Sequence, residues 1–200
     1  MNSTIAGLLL ALALAGCAAT VPPPVYTDPF QGLVNQSAAT VPADRPVTAR
    51  QPLGLIFSDN LELYLRYVQV GDASLKSYGA LTNTTAVADL DPKFVAAHVI
   101  TMLKAHYPDI ELLQDFNQAI ATGKKGVWLV DIQPVLGQRS GQTTTVDIAA
   151  YFFDERMQPV SRLSGRGTAV LPYPAWDIGV QPATLAAVQQ LDSKLTALAK

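Results

Sequence analysis

The alternation of apolar and polar positions is clearest in the second half of the chain. From Thr143 to Phe153, Val146, Ile148, Ala150 and Phe152 fall on every second residue, the period of a strand with one buried face. Val160 to Val170 repeats that period, with Leu163, Gly165, Gly167 and Ala169 on one face and Arg162, Ser164 and Arg166 on the other. The small residues of the first set predict close approach by a helix. Asp154 to Pro159 reads as a solvated turn, so these two strands form a hairpin. Upstream, Val127-Trp128-Leu129-Val130-Asp131-Ile132 is a nearly continuous apolar run, the pattern of a strand covered on both faces. Trp128 and Leu129 then point to opposite faces. Leu53 to Ser58 is a further short apolar strand.

Helical spacing appears elsewhere. Asp91 is a suitable N-cap and Pro92 suits the first helical position, where its missing donor costs nothing. Phe94, Val95, Val99, Met102, Leu103 and Tyr107 form one apolar face, and Pro108 stops the helix. Ile110 to Leu113 is a short strand candidate. Asp115 caps a second helix running through Ala121, and Gly123-Lys124-Lys125-Gly126 turns the chain. From Pro182 to Ala199, Leu185, Val188, Leu191, Leu195 and Leu198 keep helical spacing. Leu61 to Val70 fits two templates: Leu61, Leu63, Leu65 and Tyr67 alternate as a strand, while Leu61, Tyr64, Leu65 and Val68 share a helical face. Ala73 to Leu90 is weakly patterned and predicts a loop or a strand. The sum is an α+β domain over residues 53–200, with a twisted, largely antiparallel sheet and two or three helices packed on one of its faces.

Before that domain the pattern breaks. Pro22, Pro23, Pro24, Pro29, Pro42, Pro46 and Pro52 remove backbone donors at a density that forbids helix and central strand. Residues 17–52 therefore read as a proline-rich tether, which would span on the order of 100 Å if fully extended. Tyr26, Phe30, Leu33 and Val34 sit oddly in a linker. Two readings stay open: their side chains lie on the domain, or the segment is disordered.

The chain opens with Met1-Asn2-Ser3-Thr4 and an apolar block from Ile5 to Ala15, too short for the ~20 residues of a membrane-spanning helix. It has the form of a signal-peptide core, over residues 1–16, followed by small residues. Leu14-Ala15-Gly16-Cys17 resembles the bacterial lipobox. That resemblance implies cleavage before Cys17 and acylation of Cys17, hence a membrane lipoprotein. The leader departs from the family pattern in having no Lys or Arg. Ala18 and Ala19, rather than an aspartate, follow the cysteine, which in that family implies the outer membrane, facing the periplasm. Element order over Leu53 to Lys200 also resembles small α/β domains of envelope lipoproteins, such as the curli-secretion lipoprotein and the amino-terminal domain of the Tol-system propeller protein.

Composition narrows the function. The net charge of −2, with 15% charged residues and no basic stripe, argues against a nucleic-acid partner. Cys17 is the sole cysteine, so no internal disulfide is possible. His98 and His106 are the only histidines; eight residues apart on a helix, they lie about 80° apart and suit one metal poorly. Ser164-Gly165-Arg166-Gly167 lies within a strand pattern and is no dinucleotide loop. No nucleophile elbow or phosphate loop occurs, so no catalytic residue, metal or cofactor is assigned. The expectation is a non-enzymatic envelope lipoprotein acting through protein contacts, as a scaffold or accessory subunit, anchored at Cys17. The alternative is a binding module for a lipid, glycan or small ligand. Tyr173 and Trp176, in a loop stiffened by Pro172 and Pro174, are the candidate partner contacts, or else fold back as a lid on the core.

Overall fold

The structure is a computed structural model and describes residues 22–31, 37–46, 51–82, 91, 93–137, 141–171 and 179–198. Cys17 with its lipobox, Leu33, Val34, Tyr173 and Trp176 lie outside the described residues. In chain order the elements are β1 (Leu53–Phe57), α1 (Asp59–Thr82), α2 (Phe94–His106), β2 (Glu111–Leu112), α3 (Phe116–Ala121), β3 (Gly126–Val135), β4 (Thr143–Phe153), β5 (Pro159–Val170) and α4 (Val180–Leu198). The fold is α+β, as the pattern predicts. One open five-stranded sheet has the order β2-β1-β3-β4-β5. The long ladders β3–β4 and β4–β5 are antiparallel, and β1 runs parallel to both β2 and β3.

Leu61 to Val70 is helix, not strand. The parallel pairing of β1 with β2 and β3 requires crossovers, and α1 begins the first of them. Asp59 and Glu62 lie in the first turn, where the helix dipole favours negative charge. Tyr64 and Val68 are buried on the face that spacing allows. The helix continues through Thr82, so the first part of the stretch expected as loop or strand is helical. In α2 the first helical residue is Phe94. Asp91 acts just outside, its Oδ1 accepting the Lys93 N–H at 2.9 Å. Asp115 caps α3 as expected, accepting the Gln118 N–H at 2.8 Å.

Each sheet face has its own core. On the first, Leu53, Leu55, Trp128, Val130, Ile132, Val146, Ile148, Ala150, Phe152 and Leu163 meet the three long helices α1, α2 and α4. Here α4 presents Ala183, Ala187, Leu191 and Leu195; of the face expected from spacing, Leu191 and Leu195 are buried and Val188 and Leu198 pack against the core, but Leu185 is half exposed. The reason is Gly165 and Gly167. A Cβ at either would collide with the carbonyl oxygen of Ala187 or Ala183, so helix backbone sits directly on strand backbone. Only small residues fit that seam.

On the second face Ile56, Val127, Leu129, Tyr151 and Phe153 are covered by Phe30, Ala38, Val41, Leu113, Ala119 and Phe116. Trp128 and Leu129 are thus both buried, one on each side. Described residues 28–31 and 37–46 form a strap over this face, while Tyr26, just before it, packs against the first core. Phe30 packs edge-on to Tyr151 with ring centroids 5.0 Å apart. The strap then runs beside β5, with Ala43 bridged in parallel to Arg162. The Arg162 N–H donates to the Pro42 carbonyl and the Asp44 N–H to the Arg162 carbonyl, each at 2.9 Å. Of the sequence's two readings for Tyr26 and Phe30, contact with the domain is what the structure has.

Candidate functional site

The candidate site grows out of β3. Beyond Val130 the strand loses its β1 neighbour, since the register ends at Phe57 opposite Val130. Pro134 is tolerated because it lies in this unpaired half. Into the gap comes the lead-in to the strap, with the Tyr26 hydroxyl donating to the Pro134 carbonyl at 2.6 Å. Burial, with the Tyr64 and Tyr67 phenols and the Asp131 carboxyl nearby, pushes the Tyr26 phenol well above its ordinary range.

Asp131 organises the same place. It is only 3% exposed, and its carboxylate accepts three side-chain hydrogen bonds. Ser58 Oγ donates at 2.5 Å and Asn60 Nδ2 at 2.8 Å to Oδ1, and Gln133 Nε2 donates at 2.6 Å to Oδ2. Asn60 is buried too and clamps the strap from both sides, its Oδ1 accepting the Thr27 N–H at 3.0 Å and its Nδ2 donating to the Thr27 carbonyl at 2.8 Å. A buried carboxylate is costly unless its lone pairs are filled, and here donors from β1's end, α1's start and β3 fill them. In the sequence Asp131 is one residue of an apolar run. A single acid inside such a run was itself the signal, because burial would oblige it to find donors.

Beside this network the second face turns polar. The register sets three cross-strand rows on that side: Leu129, Tyr151 and Arg162; Asp131, Ala149 and Ser164; Gln133, Asp147 and Arg166. The middle row is short, so a groove of about 410 Å³ opens between the outer two. Pro29 of the strap closes one side, and Gln190 and Lys194 of α4 rim the β5 edge. Asp147 and Arg166 form a two-pronged ion pair, Nε to Oδ1 at 2.5 Å and Nη2 to Oδ2 at 2.9 Å. Lys194 leans on Asp44 at 3.4 Å. The Arg162 guanidinium lies over the Tyr151 ring, 5.8 Å from its centroid. Burial raises the Tyr151 phenol above its usual range, although Arg162 pulls the other way. The alternating Arg162, Ser164 and Arg166 were legible in the sequence as one strand face; their grouping with Asp131, Gln133 and Asp147 was not.

The histidines stay apart. His98 Nδ1 lies 2.9 Å from the Phe94 carbonyl oxygen, within its own helix. His106 Nε2 is 2.6 Å from Asp192 Oδ1, tying α2 to α4. Among the described residues no cluster of three or more His, Cys, Asp or Glu could hold a metal ion, and no helix is long and apolar enough to cross a membrane.

No protein-family model and no curated protein sequence matches this chain. Among solved structures it is similar to the PelC dodecamer from Paraburkholderia phytofirmans, at 10% identity over 78% of this chain and 92% of that one, with a TM-score of 0.40. A variant of the same dodecamer gives 10% identity, 80% and 93% coverage and a TM-score of 0.41. The hypothetical protein CT253 from Chlamydia trachomatis gives 10% identity, 56% and 84% coverage and a TM-score of 0.35. At these scores the likeness carries no argument about function.

Proposed function

We propose that this chain is a lipid-anchored envelope protein that works through contacts with another envelope protein rather than by catalysis. The observation that carries the reading is Leu14-Ala15-Gly16-Cys17 directly after an apolar block. Acyl chains on Cys17 would bury methylenes at ~0.8 kcal/mol each, and two or more chains hold a protein stably on a bilayer. The strap supports a close tether. Tyr26, bonded to Pro134, lies nine residues after Cys17, and such a stretch reaches about 30 Å at most. The anchored domain would therefore stand within that distance of the membrane, not at the end of a ~100 Å leash. Ala18 and Ala19 favour the outer membrane. Tyr173 and Trp176 remain the sequence's candidates for the partner contact.

The test is metabolic labelling with a tagged fatty acid, followed by density fractionation and cross-linking of the intact chain. The wild type is expected to take label, float with the outer membrane and cross-link to one envelope protein. Cys17→Ser is expected to lose label and membrane retention while keeping its folded domain. An unlabelled wild type, or a labelled Cys17→Ser, removes the anchor. A labelled protein that cross-links to nothing removes the contact function.

A further inference from the structure

We propose that the groove between β3, β4 and β5 binds a small, hydroxyl-rich molecule through one oxyanion, a carboxylate or a phosphate, held by Arg162. The site belongs to the folded domain and does not depend on the lipid anchor.

Three cations line the groove, and two are engaged. Arg166 has its fork filled by Asp147, and Lys194 has Asp44. Asp131 has its donors from Ser58, Asn60 and Gln133. Arg162 differs from these. Its Nε is buried with no hydrogen-bond partner and so is closed to a ligand; its terminal nitrogens have no hydrogen bond and no carboxylate within ion-pair distance among the described residues, and the Tyr151 ring is the guanidinium's neighbour. A guanidinium without an anion leaves strong donors unmade, and a planar oxyanion fits its two terminal nitrogens with two parallel hydrogen bonds. The fold therefore holds an Arg in place over an aromatic ring and leaves its strongest interaction unmade.

The neighbours suit the rest of such a ligand. Ser164, two residues along the same face, has a hydroxyl with no hydrogen-bond partner among the described residues and lines the groove floor beside Ala149. Gln190 spends its Oε1 on the Arg166 N–H at 3.1 Å, leaving its amide nitrogen to donate. Gln133 gives Nε2 to Asp131 and keeps Oε1 as an acceptor. These groups match the hydroxyls of a sugar ring. A volume of about 410 Å³ falls in the ~300–1,000 Å³ range of small-molecule sites, and a lining this polar suits no acyl chain.

The test is calorimetric titration of the full chain in detergent with three probes: D-glucuronate, D-glucose 6-phosphate and D-glucose. At least one anion is expected to bind with a Kd near or below about 1 mM, and about tenfold more tightly than glucose. A response to glucuronate alone identifies a sugar acid; a response to the phosphate alone identifies a phosphorylated sugar; both together identify a general oxyanion site. Arg162→Gln is expected to weaken the binding by about tenfold or more, and Arg162→Lys to restore part of it, since charge returns without the fork. Should Arg162→Gln melt early, Ser164→Leu, which fills the floor, is expected to block binding instead. Arg156→Gln, in the exposed turn between β4 and β5, is expected to change nothing. No heat with either anion on the wild type, equal binding of glucose, or unaltered binding in folded Arg162→Gln or Ser164→Leu overturns the site.

Discussion

The two faces of the sheet are covered by different means. On the first, three long helices lay apolar side chains over Trp128 and its neighbours, and α4 locks its backbone onto Gly165 and Gly167. On the second, an extended strap and the six-residue α3 do the work, and only half the face is apolar. The strap is held by one aromatic ring, Phe30, by the clamps at Tyr26 and Thr27, and by a short pairing with β5. The first face is a core in which every element depends on the others. The second is held by fewer and shorter attachments, and the strap's Pro29 is also a wall of the groove. Cover made of short, separable attachments opens at lower free energy than cover made of packed helices.

Breaking the shared strand should do the most damage. Leu129→Asp puts an unpaired carboxylate under the strap side of β3, in the centre of the sheet, and should cost more than ~4 kcal/mol. A thermal melt by circular dichroism is expected to lose its cooperative transition. An unchanged melting temperature would mean that β3 is not covered on that side.

A middle-sized effect separates the faces. Phe30→Ala removes the strap's ring from Tyr151 and Phe153, and aromatic truncations in cores cost ~3–5 kcal/mol. Because the strap can lift locally, the global melt is expected to fall by less than that. Hydrogen exchange is expected to quicken at Thr27, Asp44 and Arg162, while amides of α2 and α4 keep wild-type protection. Equal loss of protection in α4 would show that both covers open as one unit.

The smallest effect is the strap's acid sensitivity. Burial acts to raise the Asp28 carboxyl, but hydrogen bonds from Ser37 Oγ at 2.7 Å, the Phe30 N–H at 2.9 Å and the Ala38 N–H at 3.3 Å hold it below the usual carboxylate range. A pKa depressed on folding adds stability that is complete above the unfolded value of about 4 and disappears as pH falls through the folded value. Strap exchange is therefore expected to quicken below about pH 4 in the wild type. Asp28→Asn should flatten that dependence at a cost of about 0.5 kcal/mol, small because the group is exposed. A pH dependence retained in Asp28→Asn would assign it to another carboxylate.

By itself the sequence determined the strands and the class of the fold. The alternation of Val146, Ile148, Ala150 and Phe152, and of Leu163, Gly165, Gly167 and Ala169, is local, and each position reports its own face. The same holds for the apolar run of β3 and for the helix stopped at Pro108. Tertiary structure decided what depends on partners far along the chain. Leu61 to Val70 fits either period, and the crossover from β1 to its parallel neighbours selected helix. Leu185 has the spacing of a core leucine, but the seam against Gly165 and Gly167 turned the alanines of α4 inward. The proline-rich segment could equally have been free, and only the surface formed by Tyr151 and Phe153 gave Phe30 somewhere to go. The groove came last. Asp131, Asp147, Arg162 and Arg166 are spread over residues 131–166 and become neighbours only through the β3–β4–β5 register, which no local pattern encodes.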